Sequence, residues 1–148
     1  MKHVGWVFSL LLVTPALHAL DITVGSSFTI TDVSRTDGQV ILPAERNKYY
    51  DIRILNKATF DFVQTCTAPC VQPLTEVVPF VQEIRPAKTR ENMWLATVDF
   101  QHAWSVTFLV FKRGESYSLQ EPKHFVFQDK SLQARTQEII LKAVEEMK

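Results

Sequence analysis

The segment Met93 to Leu119 reads MWLATVDFQHAWSVTFLVFKRGESYSL. An apolar residue stands at every second position through two runs. Trp94, Ala96, Val98 and Phe100 share one face of the first run; Trp104, Val106, Phe108 and Val110 share one face of the second. Successive side chains of an extended chain point to opposite faces, so this period predicts strands with one packed face. Gln101-His102-Ala103 is too short a link for anything but a hairpin between antiparallel neighbours. Lys112-Arg113-Gly114-Glu115 is the next turn, with Gly114 suited to a positive φ. A third strand follows, and β-branched and aromatic residues crowd all three, as pleated half-buried surfaces favour.

The same period extends outward in both directions. DITVGSSFTITDV alternates through Ile22, Val24, Phe28 and Ile30, with a bend at Gly25-Ser26-Ser27. QVILP is a short apolar piece after the turn Thr36-Asp37-Gly38. In YYDIRIL, Tyr50, Ile52 and Ile54 face one way. TFDFV repeats the pattern with Phe60 and Phe62, and Asn56-Lys57 is expected to turn between these runs as a hairpin. HFVFQ adds a short strand. From Asp129 the period changes: Leu132, Ile139, Ile140, Ala143, Val144 and Met147 recur at helical steps, with Asp129 or Ser131 able to cap the start. Glu138 four residues before Lys142 adds roughly 0.2–0.5 kcal/mol. The expected architecture is therefore α+β. It is an antiparallel sheet, as a meander or partly closed barrel, over residues 20–128, with one amphipathic C-terminal helix over 129–148.

Thr65 to Lys88 resists this scheme. Its prolines, Pro69, Pro73, Pro79 and Pro86, donate no ladder bonds and keep to edges and loops. A long loop followed by an edge strand, VVPFVQEI, is the expected arrangement.

The first residues have a different logic. Lys2 and His3 open the chain, Val4 to Val13 is apolar apart from Gly5 and Ser9, and Thr14-Pro15 precedes small residues at Ala16 and Ala19. This is the layout of a secretory signal peptide, shorter than the roughly 20 apolar residues of a membrane-spanning helix. Cleavage is expected after Ala19, with Ala16 as the other small-residue site. Residues 1–19 are thus read as the leader and 20–148 as one domain, periplasmic or secreted, with no stable membrane insertion after cleavage. Removing 19 of the 148 residues leaves 129, enough to bury a core without a metal or a set of disulfides. Sixteen basic residues balance sixteen acidic ones, so no overall field gathers nucleic acid or coats a membrane. At 46% hydrophobic and 22% charged, the composition excludes a disordered chain.

The chain's two cysteines, Cys66 and Cys70, stand in DFVQTCTAPCVQPL. Fully extended, residues four apart lie roughly 13 Å apart, at about 3.3 Å per residue. A disulfide needs Cα atoms within about 6.8 Å, so bonding requires Thr67-Ala68-Pro69 to fold back. An exported chain meets an oxidising compartment, and two cysteines form one pair with none left over. Against a redox couple stand the three-residue spacing, the absence of a βαβ setting and the acidic sequence neighbours Asp61 and Glu76. A closed zinc site needs four ligands, and only His102, His124 and Met93 offer company. The Cys-x3-Cys spacing with a distant histidine resembles copper-delivery proteins of bacterial envelopes, which implies a thioredoxin-like frame that the antiparallel pattern here does not match.

His102 and His124 read as surface or edge histidines. No nucleophile elbow, phosphate-cradling glycine loop, H-E-x-x-H or EF-hand spacing is present. Trp94 and Trp104 have core spacing, while Tyr49 takes the outward parity beside Tyr50. The expectation is a non-catalytic binding or accessory protein of the envelope, without metal or cofactor. It would contact another protein through the Cys66–Cys70 loop, with Thr67, Ala68, Pro69 and Tyr49 as contact residues. The alternatives are a thiol-disulfide or copper-handling protein using Cys66 and Cys70, or a small-ligand binder with a cavity between sheet and helix.

Overall fold

The computed structural model describes residues 19–43 and 52–147. The leader to His18, and the stretch containing Tyr49 and Tyr50, lie outside those residues. The described strands are β1 (Leu20–Val24), β2 (Phe28–Thr36), β3 (Gln39–Ile41), β4 (Ile52–Ile54), β5 (Cys70–Gln72), β6 (Pro79–Pro86), β7 (Met93–Phe100), β8 (Trp104–Arg113), β9 (Ser116–Gln120) and β10 (Phe125–Phe127). The described helices are α1 (Lys57–Thr65) and α2 (Lys130–Glu145).

The fold is a mixed α+β arrangement with two open sheets where one was expected. In the first, the order is β10-β2-β1-β5, with β3 paired to the far end of β2. In the second, the order is β4-β8-β7-β6, with β9 also on β8. Neither sheet closes into a barrel. All pairings are antiparallel except β1 with β5.

The inward parities meet between the sheets. Phe28 of β2 lies 5.1 Å, ring to ring, from Phe100 of β7, and Phe125 of β10 lies 5.7 Å from Phe108 of β8. Ile22, Val24, Ile30, Val98, Trp104 and Val106 fill the same core, and α2 adds Leu132, Ile140 and Val144. Burying each such side chain stabilises the fold by roughly 1.5–3 kcal/mol. The 93–119 segment pairs as its alternation requires, Met93 opposite Phe111 through Phe100 opposite Trp104. The other parity of β7 and β8 is apolar at one end, where Met93, Leu95 and Leu109 pack with Ala87 and Phe111. The edge strand expected in VVPFVQEI is β6, bounded by Pro79 and Pro86 and flanked by α2. Asp129 caps α2, its carboxylate accepting from the Ser131 and Leu132 amides.

One expected element is corrected. KATFDFVQT is helix α1, and no hairpin joins it to Ile52–Ile54, which pairs instead with β8. Asn56 starts the helix, its side chain accepting the Thr59 amide at 2.8 Å. The buried residues are Thr59 and Val63, four apart; Phe60 and Phe62 are only half-buried. Lys57 and Asp61 pair at 2.7 Å on the wet face. The apparent alternation of Phe60 and Phe62 was too short to outweigh a cap and a four-residue inward step.

Candidate functional site

The Cys66–Cys70 loop joins the end of α1 to the start of β5. Cys66 is the C-cap of α1, its amide donating to Phe62 O at 2.9 Å. The chain then folds back through Thr67-Ala68-Pro69, with the Ala68–Pro69 bond cis, and the Cα atoms of Cys66 and Cys70 stand 5.6 Å apart, joined as a disulfide. Thr67, Ala68 and Pro69 are all exposed. Cys70 is 3% exposed because it opens β5, opposite Ile22 of β1.

The loop stands on a polar anchor inside the core. Gln72, buried at the end of β5, accepts the indole N–H of Trp104 at 2.8 Å and donates to the Thr59 hydroxyl at 3.1 Å. Its carbonyl accepts the Gly25 amide at 2.8 Å. One side chain thus ties α1, β5 and β8 together beside the disulfide. Cys70 and Gln72 point inward, so Val71 between them points out, 51% exposed, next to the loop. A shallow hollow of about 460 Å³ lies between the loop and the start of β1, lined by Leu20, Asp21, Thr23 and Pro69 among others.

The sequence placed no cation near the cysteines; the fold places one. Arg35, on β2, donates through Nη1 to Val63 O at 2.8 Å and lies 3.5 Å from Cys66 Sγ. A guanidinium there favours a thiolate, but Cys66 also sits at the negative end of α1, which disfavours one. Access decides the balance. An attacking thiolate reaches half-buried Cys66 more easily, and must then expel Cys70 as an anion inside an apolar strand. Attack at Cys70, which would release Cys66 beside Arg35, is blocked by burial.

The other chemistry-bearing residues are elsewhere. His102 lies in the β7–β8 turn with its side chain 85% exposed; buried Asp99 accepts its amide at 2.6 Å and faces its Nδ1 at 3.1 Å. Gln101 and His102 both adopt positive φ, as a tight hairpin of this hand requires. His124 Nδ1 lies 3.0 Å from Asp32 Oδ2, next to β10. Neither histidine contacts the disulfide, and Met93 is buried at the far end of β7. Among the described residues, no group of three or more His, Cys, Asp or Glu is placed to hold a metal. Among them also, no helix is long and apolar enough to cross a membrane. Of the expected contact residues, Thr67, Ala68 and Pro69 come together on the loop, while Tyr49 lies outside the described residues. Arg35, Thr59 and Gln72, which position the loop, were missed by sequence reasoning. Gln72 alone carried a signal, its inward parity with Cys70.

Comparison with known protein families, curated proteins and solved structures finds no match to this chain.

Proposed function

We propose that the protein is a small exported, periplasmic or secreted, non-catalytic accessory protein that docks onto another protein through the Cys66–Cys70 loop. The observation that carries this reading is the combination of an exposed Thr67-Ala68-Pro69 tip with a buried, cross-braced base. A tip held in one geometry loses little conformational entropy on binding, and exposed Val71 beside it supplies apolar contact area. Export is supported by the basic-apolar-small pattern of the first nineteen residues and by the disulfide, which suits an oxidising compartment.

A photo-crosslinking residue at Ala68 tests the reading, with a second at exposed Ser131 as the control. The expected result is one discrete protein adduct from position 68 in native cells and none from 131. Equal labelling from both positions, or none from 68, contradicts the reading.

One observation favours a second reading, in which the pair is a thiol-disulfide couple: the Arg35 guanidinium beside Cys66 Sγ. The buried Cys70 leaving group argues against it, and the reduction potential of the pair separates the two.

A further inference from the structure

The β6–β7 and β8–β9 connections project from the same end of the second sheet, because Met93, opening β7, lies opposite Phe111 near the end of β8. The Lys112 amide donates to Asn92 O at 2.9 Å and ties the two tips together. One tip carries Lys88 and Arg90; the other carries Lys112 and Arg113. Between them is a hollow of about 530 Å³ lined by Arg90, Lys112 and Arg113, with Asn92, Ser118 and Gln120 supplying further hydrogen-bonding groups. Two of the cations rest on aromatic rings. The Arg90 guanidinium lies 5.8 Å from the centre of the Phe111 ring, and the Lys112 ammonium 5.6 Å from that of Tyr117. Among the described residues, no carboxylate lies within ion-pair distance of Lys88, Arg90, Lys112 or Arg113. The chain as a whole has no net charge, so this concentration is local.

We propose that this basin binds an acidic, extended segment of a partner protein. Guanidinium forks match carboxylates in a paired geometry, and rings beneath the cations hold them in place without neutralising them. The amide and hydroxyl groups between the cations suit peptide groups between acidic side chains. A bilayer is the poorer fit. The exposed large apolar residues, Ile41, Leu55, Val71, Val78, Phe80, Val126 and Met147, all lie outside the two tips, so the tips carry no apolar anchor. A phosphate-dense nucleic acid is also a poorer fit, because three cations around one hollow, Arg90, Lys112 and Arg113, are too few to track a phosphate backbone. The basin is on the other sheet from the Cys66–Cys70 loop and stands whether or not that loop docks a partner.

The test uses the purified protein and a fluorescein-labelled hexaglutamate peptide, with binding read by anisotropy at low and high salt. Binding is expected at low salt, weakening as salt rises. The double substitution Arg90→Gln and Arg113→Gln is expected to weaken it by about tenfold or more. The matched pair Lys123→Gln and Lys130→Gln, exposed cations outside the basin, is expected to leave it unchanged. Circular dichroism checks that both doubles fold. Absence of binding at low salt overturns the proposal, as does an equal loss from both doubles. Stronger basin-dependent binding to phosphatidylglycerol vesicles than to the peptide also overturns it, in favour of a membrane surface.

Discussion

Gln72 is a polar side chain closed inside an apolar core, with its amide used at both ends by Trp104 and Thr59. Leucine there keeps the volume but leaves the indole N–H without its acceptor. An orphaned buried donor costs about 1–3 kcal/mol, so Gln72→Leu is expected to lower the unfolding free energy by that much, read from a lower urea midpoint, and to shift the tryptophan emission. Gly25 is the second residue on which the loop's base depends. It has φ +52, and a Cβ there would stand 2.1 Å from Leu74 O, a backbone atom. Gly25→Ala is expected to destabilise by about 3 kcal/mol, against about 1 kcal/mol for Gly38→Ala, where φ is also positive but the space is open. Equal midpoints for the two alanine variants would show that the Leu74 approach does not matter. At this scale the sequence was half legible. The inward parity of Gln72 could be counted from Cys70, but nothing local announces that Arg35, on another strand, reaches Val63 and Cys66. Long-range side-chain contacts leave no trace in periodicity.

The elements around the loop are short, and their stability comes from their ends. Asn56→Ala removes the cap of α1 and is expected to cost about 1 kcal/mol, seen as a lower unfolding midpoint with faster amide exchange in 57–65. In the chain-entropy picture a loop this small contributes about 2 kcal/mol through its disulfide. Cys66→Ala with Cys70→Ala is therefore expected to leave the protein folded. Amide exchange should rise in α1 and β5 and stay unchanged in β7 and β8; loss of the whole fold would mean that the bridge carries the domain. The strands of 93–119 were legible because their alternation runs over eight and ten residues and each parity has one destination. KATFDFVQT was misread because two aromatic residues at spacing two imitate a strand over a short window. The true signals were the capping side chain of Asn56 and the four-residue step from Thr59 to Val63. The terminal helix, with sixteen residues and a clear cap, left no such ambiguity.

At the scale of the whole molecule, alternation shows that each strand has a packed face. It does not show which sheet the strand joins. That is why one sheet was expected and two face each other across Phe28, Phe100, Phe108 and Phe125. The β4–β8 and β1–β5 pairings cross about fifty residues each, and the second is parallel, so no turn chemistry announces either. The consequence for function is a division of surfaces. The disulfide loop sits at an edge of the first sheet, and the basic hollow at one end of the second. An overall charge of zero conceals that hollow, because its three cations outnumber Glu91, the acid that lines it, and are offset by acids elsewhere in the chain.

The central claim is that the Cys66–Cys70 bridge is a structural disulfide and not a thiol-disulfide couple, its reduced form disfavoured because Cys70 is buried in the apolar core. Equilibrating the folded protein with a graded series of dithiol buffers, and counting free thiols at each potential, tests this most directly. The account expects the pair to stay oxidised until the potential falls below about −300 mV, the range of structural disulfides. A midpoint between about −270 and −120 mV, the range of thiol-disulfide oxidoreductases, would contradict it and give Arg35 a role in stabilising a reactive thiolate.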